Sequence, residues 1–210
     1  MLDQHAPPII DVEAFYPDTA IKLDDELVRY RWASTFFTVG RTLREHLDFD
    51  YANEQMILDG ALDRYKVLLF LWGAVTEKPV LERIDQWVRN GRTLVFAASP
   101  RGNPSTVEGD TSLAAKWLAG DKGKGRVVVW RGDLIPSQSY AEFIRDFLLE
   151  TPAIRPEIRA ARQLEKPPTV FWSVLENGKL ALLNFSNRPA RVTLASGRFV
   201  IVPSCEMAME

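Results

Sequence analysis

The stretch Tyr65–Gly102, YKVLLFLWGAVTEKPVLERIDQWVRNGRTLVFAASPRG, decides the fold. Lys66–Trp72 (KVLLFLW) is a nearly unbroken apolar run, the pattern of a parallel strand covered on both faces rather than of a half-solvated edge. Thr76 is placed to cap the helix that follows. On that helix Val80, Ile84, Trp87 and Val88 share one side, and Gly91 stands at the C′ position, where left-handed backbone is favoured. Thr93–Ala98 (TLVFAA) is the next buried strand. It runs into Ser99-Pro100 without a cysteine, and that absence bears on what the chain can do by itself.

The same alternation extends in both directions. Upstream, Ile9–Phe15 (IIDVEAF) reads as a first strand, and YPDTAIKLDD as a loop leading to a helix start at Asp24 and Asp25. Val28, Trp32, Phe36, Val39 and Leu43 recur at spacings of four, four, three and four, one face of a long helix. LDFDYAN suits a short second strand, and NEQMILDGAL a helical turn closed by Gly60. Downstream come a loop (SPRGNPSTVEGD), a short helix (TSLAAKWLAG) and a strand (GKGRVVVW). A further amphipathic helix carries Tyr140, Phe143, Ile144, Phe147 and Leu148. This is the pattern of a doubly wound, mainly parallel α/β sheet. After Thr151 the pattern changes. TPAIRPEIRAARQLEKPP contains four prolines and reads as a connector, and the remainder consists of short strand-like runs parted by Asn177-Gly178, Asn187–Pro189 and Ser196-Gly197. Asn-Gly between two such runs is a strong hairpin signal, so a small antiparallel β-domain is expected. The expected domains are 1–151, a Pro-rich connector at 152–167, and 168–210. The last would bury too little surface to be stable alone.

With 210 residues, 46% hydrophobic and 26% charged, the chain can bury a sizeable core, and disorder is not the default. A net charge of −2 with scattered basic residues gives no footprint for nucleic acid. No run approaches a membrane span and the start lacks a signal-peptide pattern, so neither membrane nor secretion is expected. Cys205 is the only cysteine, which excludes an internal disulfide and fits a reducing, cytoplasmic setting. In a terminal β-run it is expected to act as a small buried apolar side chain.

Candidate chemistry is sparse. Ser99 ends a strand at the edge where open α/β sheets place ligands, but Pro100 removes the following N–H that an oxyanion hole would use. The two histidines, His5 and His46, do not follow the later strands, and His46 reads as a helix-end cation favoured by the helix dipole. Asp11, Glu13, Asp24, Asp25, Glu54 and Asp59 do not sort into a glycosidase pair and are expected on solvated faces or as caps. No carboxylate–histidine spacing suits a metal, and the glycines of GDKGKGR precede a strand rather than a helix, so no cofactor is expected. Tyr16, Trp72 and Trp130 fall at strand ends, where aromatic faces could stack on sugars. With Ser99 and Arg101 they form the candidate ligand set. Trp32, Trp87 and Trp117 are expected in the core.

Taken in order, AFYPDTAIKL, DFDYANEQMILDGALDRYKVLLFLWG, the helix ending WVRNGRTLVF and the closing LALLNFSNRPARVTL resemble the non-catalytic C-terminal region of β-galactosidases of glycoside hydrolase family 42 and their relatives. The resemblance covers nearly the whole chain. It implies a flavodoxin-like (class I glutamine amidotransferase-like) trimerisation domain followed by a small β-domain, in a protein whose catalytic barrel lies outside this sequence. Asn90-Gly91 stands where that family commonly has Gly-Gly. No family catalytic residue maps onto any position here.

Three functional expectations follow. The first is a non-catalytic oligomerisation and support module that associates with itself or with a glycoside hydrolase barrel. The second is a binding module for a saccharide or another small ligand at Tyr16, Trp72, Ser99, Arg101 and Trp130. The third is a free-standing hydrolase with an unrecognised site.

Overall fold

In the computed structural model, residues 6–23, 36–70, 75–97, 104–133 and 137–210 are described. Five strands form a parallel sheet: β1 (Val12–Tyr16), β2 (Asp50–Asn53), β3 (Val67–Phe70), β5 (Thr93–Ala97) and β7 (Arg126–Trp130), in the order β2-β1-β3-β5-β7. β3 lies at the centre, and Val67, Leu68, Leu69 and Phe70 are all buried. Two-residue strands β4 (Val75–Thr76) and β6 (Ser105–Thr106) pair separately, in parallel.

Alternation along the strands sends Phe15, Ala52, Leu68, Phe70, Leu94 and Phe96 to one face. That face is covered by α3 (Glu54–Leu58), a 3-10 turn (Ala61–Arg64), α4 (Lys78–Arg89) and α5 (Ser112–Leu118), which contribute Ile57, Leu62, Val80, Leu81, Ile84, Trp87, Val88 and Trp117. The tryptophans also close polar links. Trp87 donates its indole N–H to the Leu62 carbonyl at 2.7 Å, and Trp117 donates to Asp85 at 2.7 Å, whose other oxygen accepts from Arg89 at 2.7 Å. On the opposite face Ala14, Val67, Leu69 and Val95 are equally buried. There Phe36, on helical residues 36–44 (α2), meets Tyr16, and Tyr140, on α6 (Ser137–Glu150), meets Trp130. Helices therefore lie on both faces, as the apolar run at β3 requires.

Several local expectations change. YPDTAIKLDD does not begin as a loop, because Asp18–Leu23 is a helix (α1). Thr76 is not a cap: it lies in β4, and α4 starts from Glu77 without a side-chain cap, its Pro79 tolerated where the backbone N–H has no partner to lose. Gly125 explains part of the GDKGKGR run. A Cβ there would stand 2.0 Å from the Val88 carbonyl oxygen and 2.6 Å from that of Arg92, so only glycine lets β7 begin against the end of α4.

The described residues divide into two compact units, one from 11–39 and 49–140, containing the parallel sheet, and one from 1–10, 40–48 and 141–210. In the second, β8 (Val170–Val174), β9 (Leu180–Asn184) and β12 (Met207–Met209) form an antiparallel sheet in the order β12-β9-β8, and β10 (Ala190–Thr193) pairs with β11 (Phe199–Val202). The Pro-rich segment contains α7 (Pro156–Ala161), whose Ile158 and Ala161 are buried. Asn184 ties the strands together. Its amide donates to the carbonyls of Arg188, Val202 and Pro203 at 2.9, 3.3 and 3.0 Å, while its oxygen accepts the Ser186 N–H at 2.9 Å. Cys205 is not buried as expected. It is exposed in the turn between β11 and β12, at φ 53°. No helix among the described residues is long and apolar enough to cross a membrane.

Asn184→Asp keeps the shape but replaces the donor with a carboxylate facing carbonyl oxygens. It should lower unfolding stability by roughly 2–4 kcal/mol, since an unsatisfied buried polar group costs about 1–3 kcal/mol and charge adds to it. Urea denaturation checks this, and an unchanged midpoint would refute the clamp.

Candidate functional site

Open α/β sheets present ligands at the carboxyl ends of their strands. Here Tyr16 ends β1 and Trp130 ends the edge strand β7. The two strands are separated by β3 and β5, about 14 Å at the usual spacing between strands, so these aromatics do not converge. Tyr16 packs edge-on against Phe36 at 5.5 Å, and Trp130 packs against Tyr140 at 5.6 Å while its N–H points to the Asp133 carbonyl at 3.3 Å. Trp72, Ser99 and Arg101 lie outside the described residues.

The carboxylates are not mainly solvated. Asp11, Glu13 and Glu54 are buried. Glu54, next to the end of β2, accepts the Thr19 N–H at 3.0 Å and the Thr19 hydroxyl at 2.6 Å, holding the first turn of α1. Sequence placed Glu54 on a solvated face or as a cap, and nothing local linked it to a threonine 35 positions away. Glu13 sits opposite Asp50 in the β1–β2 register, and neither of its oxygens has a hydrogen-bond partner among the described residues. Burial, and secondarily the Asp50 charge, push its acid up to about 8, with Arg64 opposing. Asp50 in turn accepts the Tyr65 hydroxyl at 2.7 Å. Burial first, then that bond, raises the Tyr65 phenol. The cluster is therefore one of proton retention.

A groove does open on the second unit. Phe171, Leu183 and Met207 lie side by side across β8, β9 and β12, with Ser173 and Ala181 in the next row. With Arg44, Asp48 and Phe185 they line a cavity of about 330 Å³. The opposite face, with Val170, Trp172, Val174 and Leu182, is buried. Phe185 is 64% exposed and meets Phe171 edge-to-face at 5.1 Å. At one wall the Ser173 hydroxyl donates to Asp48 at 2.5 Å, and Arg44 forms an ion pair with the same carboxylate. Aromatic walls with one convergent polar group suit binding. Ser173 faces a carboxylate, and the lining has no histidine, cysteine or lysine to act as its base. Sequence reasoning missed this groove because Asp48 and Ser173 are 125 positions apart. The available signal was an apolar residue at an outward position on each strand, Phe171 on β8, Leu183 on β9 and Met207 on β12. Among the described residues no group of three or more His, Cys, Asp or Glu could hold a metal ion.

No protein-family model and no curated protein matches the sequence. Solved structures do. A catalytic mutant of Gan42B, a GH42 β-galactosidase from G. stearothermophilus, matches with a TM-score of 0.63 at 12% identity, covering 95% of this chain and 40% of that one. A β-galactosidase from Bacillus circulans sp. alkalophilus gives 0.62 at 12% identity over 98% of this chain and 42% of its own. An exo-carrageenase GH42 from Bacteroides ovatus gives 0.61 at 12% identity over 96% and 28%. The chain thus has the fold of one part of these larger glycoside hydrolases, and spans about two fifths of the two β-galactosidases.

With Glu13 folded at about 8 and about 4.5 unfolded, the native state holds a proton that the unfolded chain releases across that window. Stability therefore falls as pH rises from 4.5 to about 8 and is level beyond. Glu13→Gln mimics the protonated acid. It should match the parent near pH 5 and exceed it by a few kcal/mol at pH 8 to 9 in denaturant titrations. Parallel stability curves for the two proteins would refute the assignment.

Proposed function

We propose that this chain is a non-catalytic oligomerisation and support module of a β-galactosidase-like glycoside hydrolase, corresponding to the region that follows a catalytic barrel in glycoside hydrolase family 42. The observation that carries this reading is the fold match over 95% of the chain to 40% of a GH42 β-galactosidase. Two features support it further. The main-sheet order β2-β1-β3-β5-β7 is, in chain order of those five strands, 2-1-3-4-5, which favours a flavodoxin-like, class I glutamine amidotransferase-like domain. Exposed Phe199 and Ile201 on β11, with Arg191 stacked 4.2 Å over the Phe199 ring, have the aromatic and arginine character of a protein interface. In this reading segment 1–151 forms the assembly domain, 152–167 connects and 168–210 forms the β-domain, the compact units being built from interleaved pieces of these. The partners are further copies of the chain or a glycoside hydrolase barrel, in the cytoplasm.

Light scattering after size exclusion should give a discrete oligomer, with no turnover of chromogenic galactosides or of glutamine. A strict monomer at high concentration would remove the assembly role, and turnover would remove the non-catalytic one.

The groove favours a second reading, a saccharide or small-ligand module in which a pyranose face lies on Phe171 and Phe185 and its hydroxyls reach Asp48 and Arg44. Calorimetric titration with galactosides and oligosaccharides should then give saturable heat that Phe185→Ala weakens about tenfold, the loss expected for one aromatic contact. No heat with any sugar ends this reading and leaves the first intact.

A further inference from the structure

The second unit holds a cationic cluster that neither reading uses. His46 follows α2, Arg145 lies on α6, Arg159 on α7, Arg162 at its C-cap and Lys166 just beyond. The Nε, Nη1 and Nη2 atoms of Arg162 are all buried, and none has a hydrogen-bond partner among the described residues. The same holds for His46 Nε2 and Arg159 Nε. A guanidinium offers five N–H donors and is not readily deprotonated, so closing it away with every donor idle is among the more costly arrangements a fold can hold.

The nearby acids do not resolve it. Asp146 accepts Arg145 at 2.7 Å and reaches Arg162 only through space. Glu142 acts on His46 and Glu45 on Lys166, again without a bond to Arg162. Burial, then the Arg145 charge, pulls Arg162 down to about 10. His46, expected as a dipole-favoured cation, is the reverse: burial and the charges of Arg145, Lys166 and Arg162 lower its pKa, outweighing Glu142. Burial likewise lowers Lys166. Burial thus holds His46, Arg162 and Lys166 each toward the neutral form, and the acids around them offset this only in part.

We infer that Arg162, His46 and Lys166 form a binding site for a small oxyanion, a phosphate, a sulfate or the carboxylate of an acidic sugar. The planar fork of Arg162 matches two oxygens of such a group, and His46, whose own Nε2 is buried without a partner among the described residues, feels the charges of both Arg162 and Lys166, so the three add positive charge to one region. Because the Arg162 nitrogens and His46 Nε2 are shut off from solvent here, entry requires side-chain movement, so the site closes over its anion rather than presenting an open basic patch.

His46 is one of two histidines, so its imidazole resonances report directly on the site. At fixed pH, and at ionic strength matched with chloride, inorganic phosphate, sulfate and glucuronate are titrated in, with galactose as the neutral control. We expect saturable shifts of His46 and, in pH titrations run with and without the anion, an upward move of its midpoint. A response to phosphate and sulfate assigns a free oxyanion, and one to glucuronate alone assigns an acidic sugar. Arg162→Gln should weaken binding about tenfold or more, as for loss of a charge-assisted bidentate pair. In anion-free buffer the same variant should melt at or above the parent, whereas a merely structural arginine would lower the melting temperature. Lys166→Gln provides a second variant should Arg162→Gln not fold. Absence of saturation with all three anions, or equal shifts with chloride or in the variants, would overturn the site.

Discussion

The structure depends on one constraint: β3 has no exposed side. Val67, Leu68, Leu69 and Phe70 are buried in succession, so neither face of the strand can meet water. Its backbone is paired on both edges, by β1 and by β5. A strand in that position requires helices above and below, and parallel neighbours require long connections, which those helices provide. Leu68 and Phe70 receive the α3–α4–α5 layer, with Phe15 stacked on Phe70 at 4.6 Å. The remaining strands can then be less completely covered, and β7, at the edge, is only half-buried.

Why this much was legible follows from the range of the interactions. The apolar run at Lys66–Trp72, the helical face Val80, Ile84, Trp87 and Val88, and the Asn177-Gly178 hairpin are local signals, and each element forms where its pattern lies. What sequence did not disclose is set by partners far along the chain. Glu54 and Thr19, Ser173 and Asp48, and the Asn184 clamp join residues that no window would contain together. His46 shows the same limit in electrostatic form. A helix end alone favours its protonation, but burial, and after it the charges of Arg145 on α6, Lys166 and Arg162 at the end of α7, outweigh the dipole. Cys205, expected inside as part of a terminal β-run, lies outside in a turn with positive φ.

The candidate ligand set was built on strand ends, and the two described members pack on Phe36 and Tyr140 rather than on each other. An aromatic at a strand terminus is as well placed to seal the join between sheet and helix as to greet a ligand, and the ring geometry of Tyr16 and Trp130 corresponds to the first use. In the groove on β8, β9 and β12 the balance is reversed. Trp172 and Leu182 serve the core, which leaves Phe171, Leu183 and Phe185 on a face where an antiparallel sheet normally shows polar side chains.

Buried charge separates the two units. In the parallel-sheet unit Glu13 avoids its penalty by keeping a proton, an option open to a carboxyl group at neutral pH and therefore compatible with a closed core. Arg162 has no such option, because even lowered to about 10 it remains charged at neutral pH. Neutralisation must then come from a counter-charge, and Asp146, the acid through which it feels attraction, is hydrogen-bonded to Arg145. Two burials that look alike by exposure thus differ in kind. The charge at Glu13 is removed by a proton, and the one at Arg162 is balanced only with an anion.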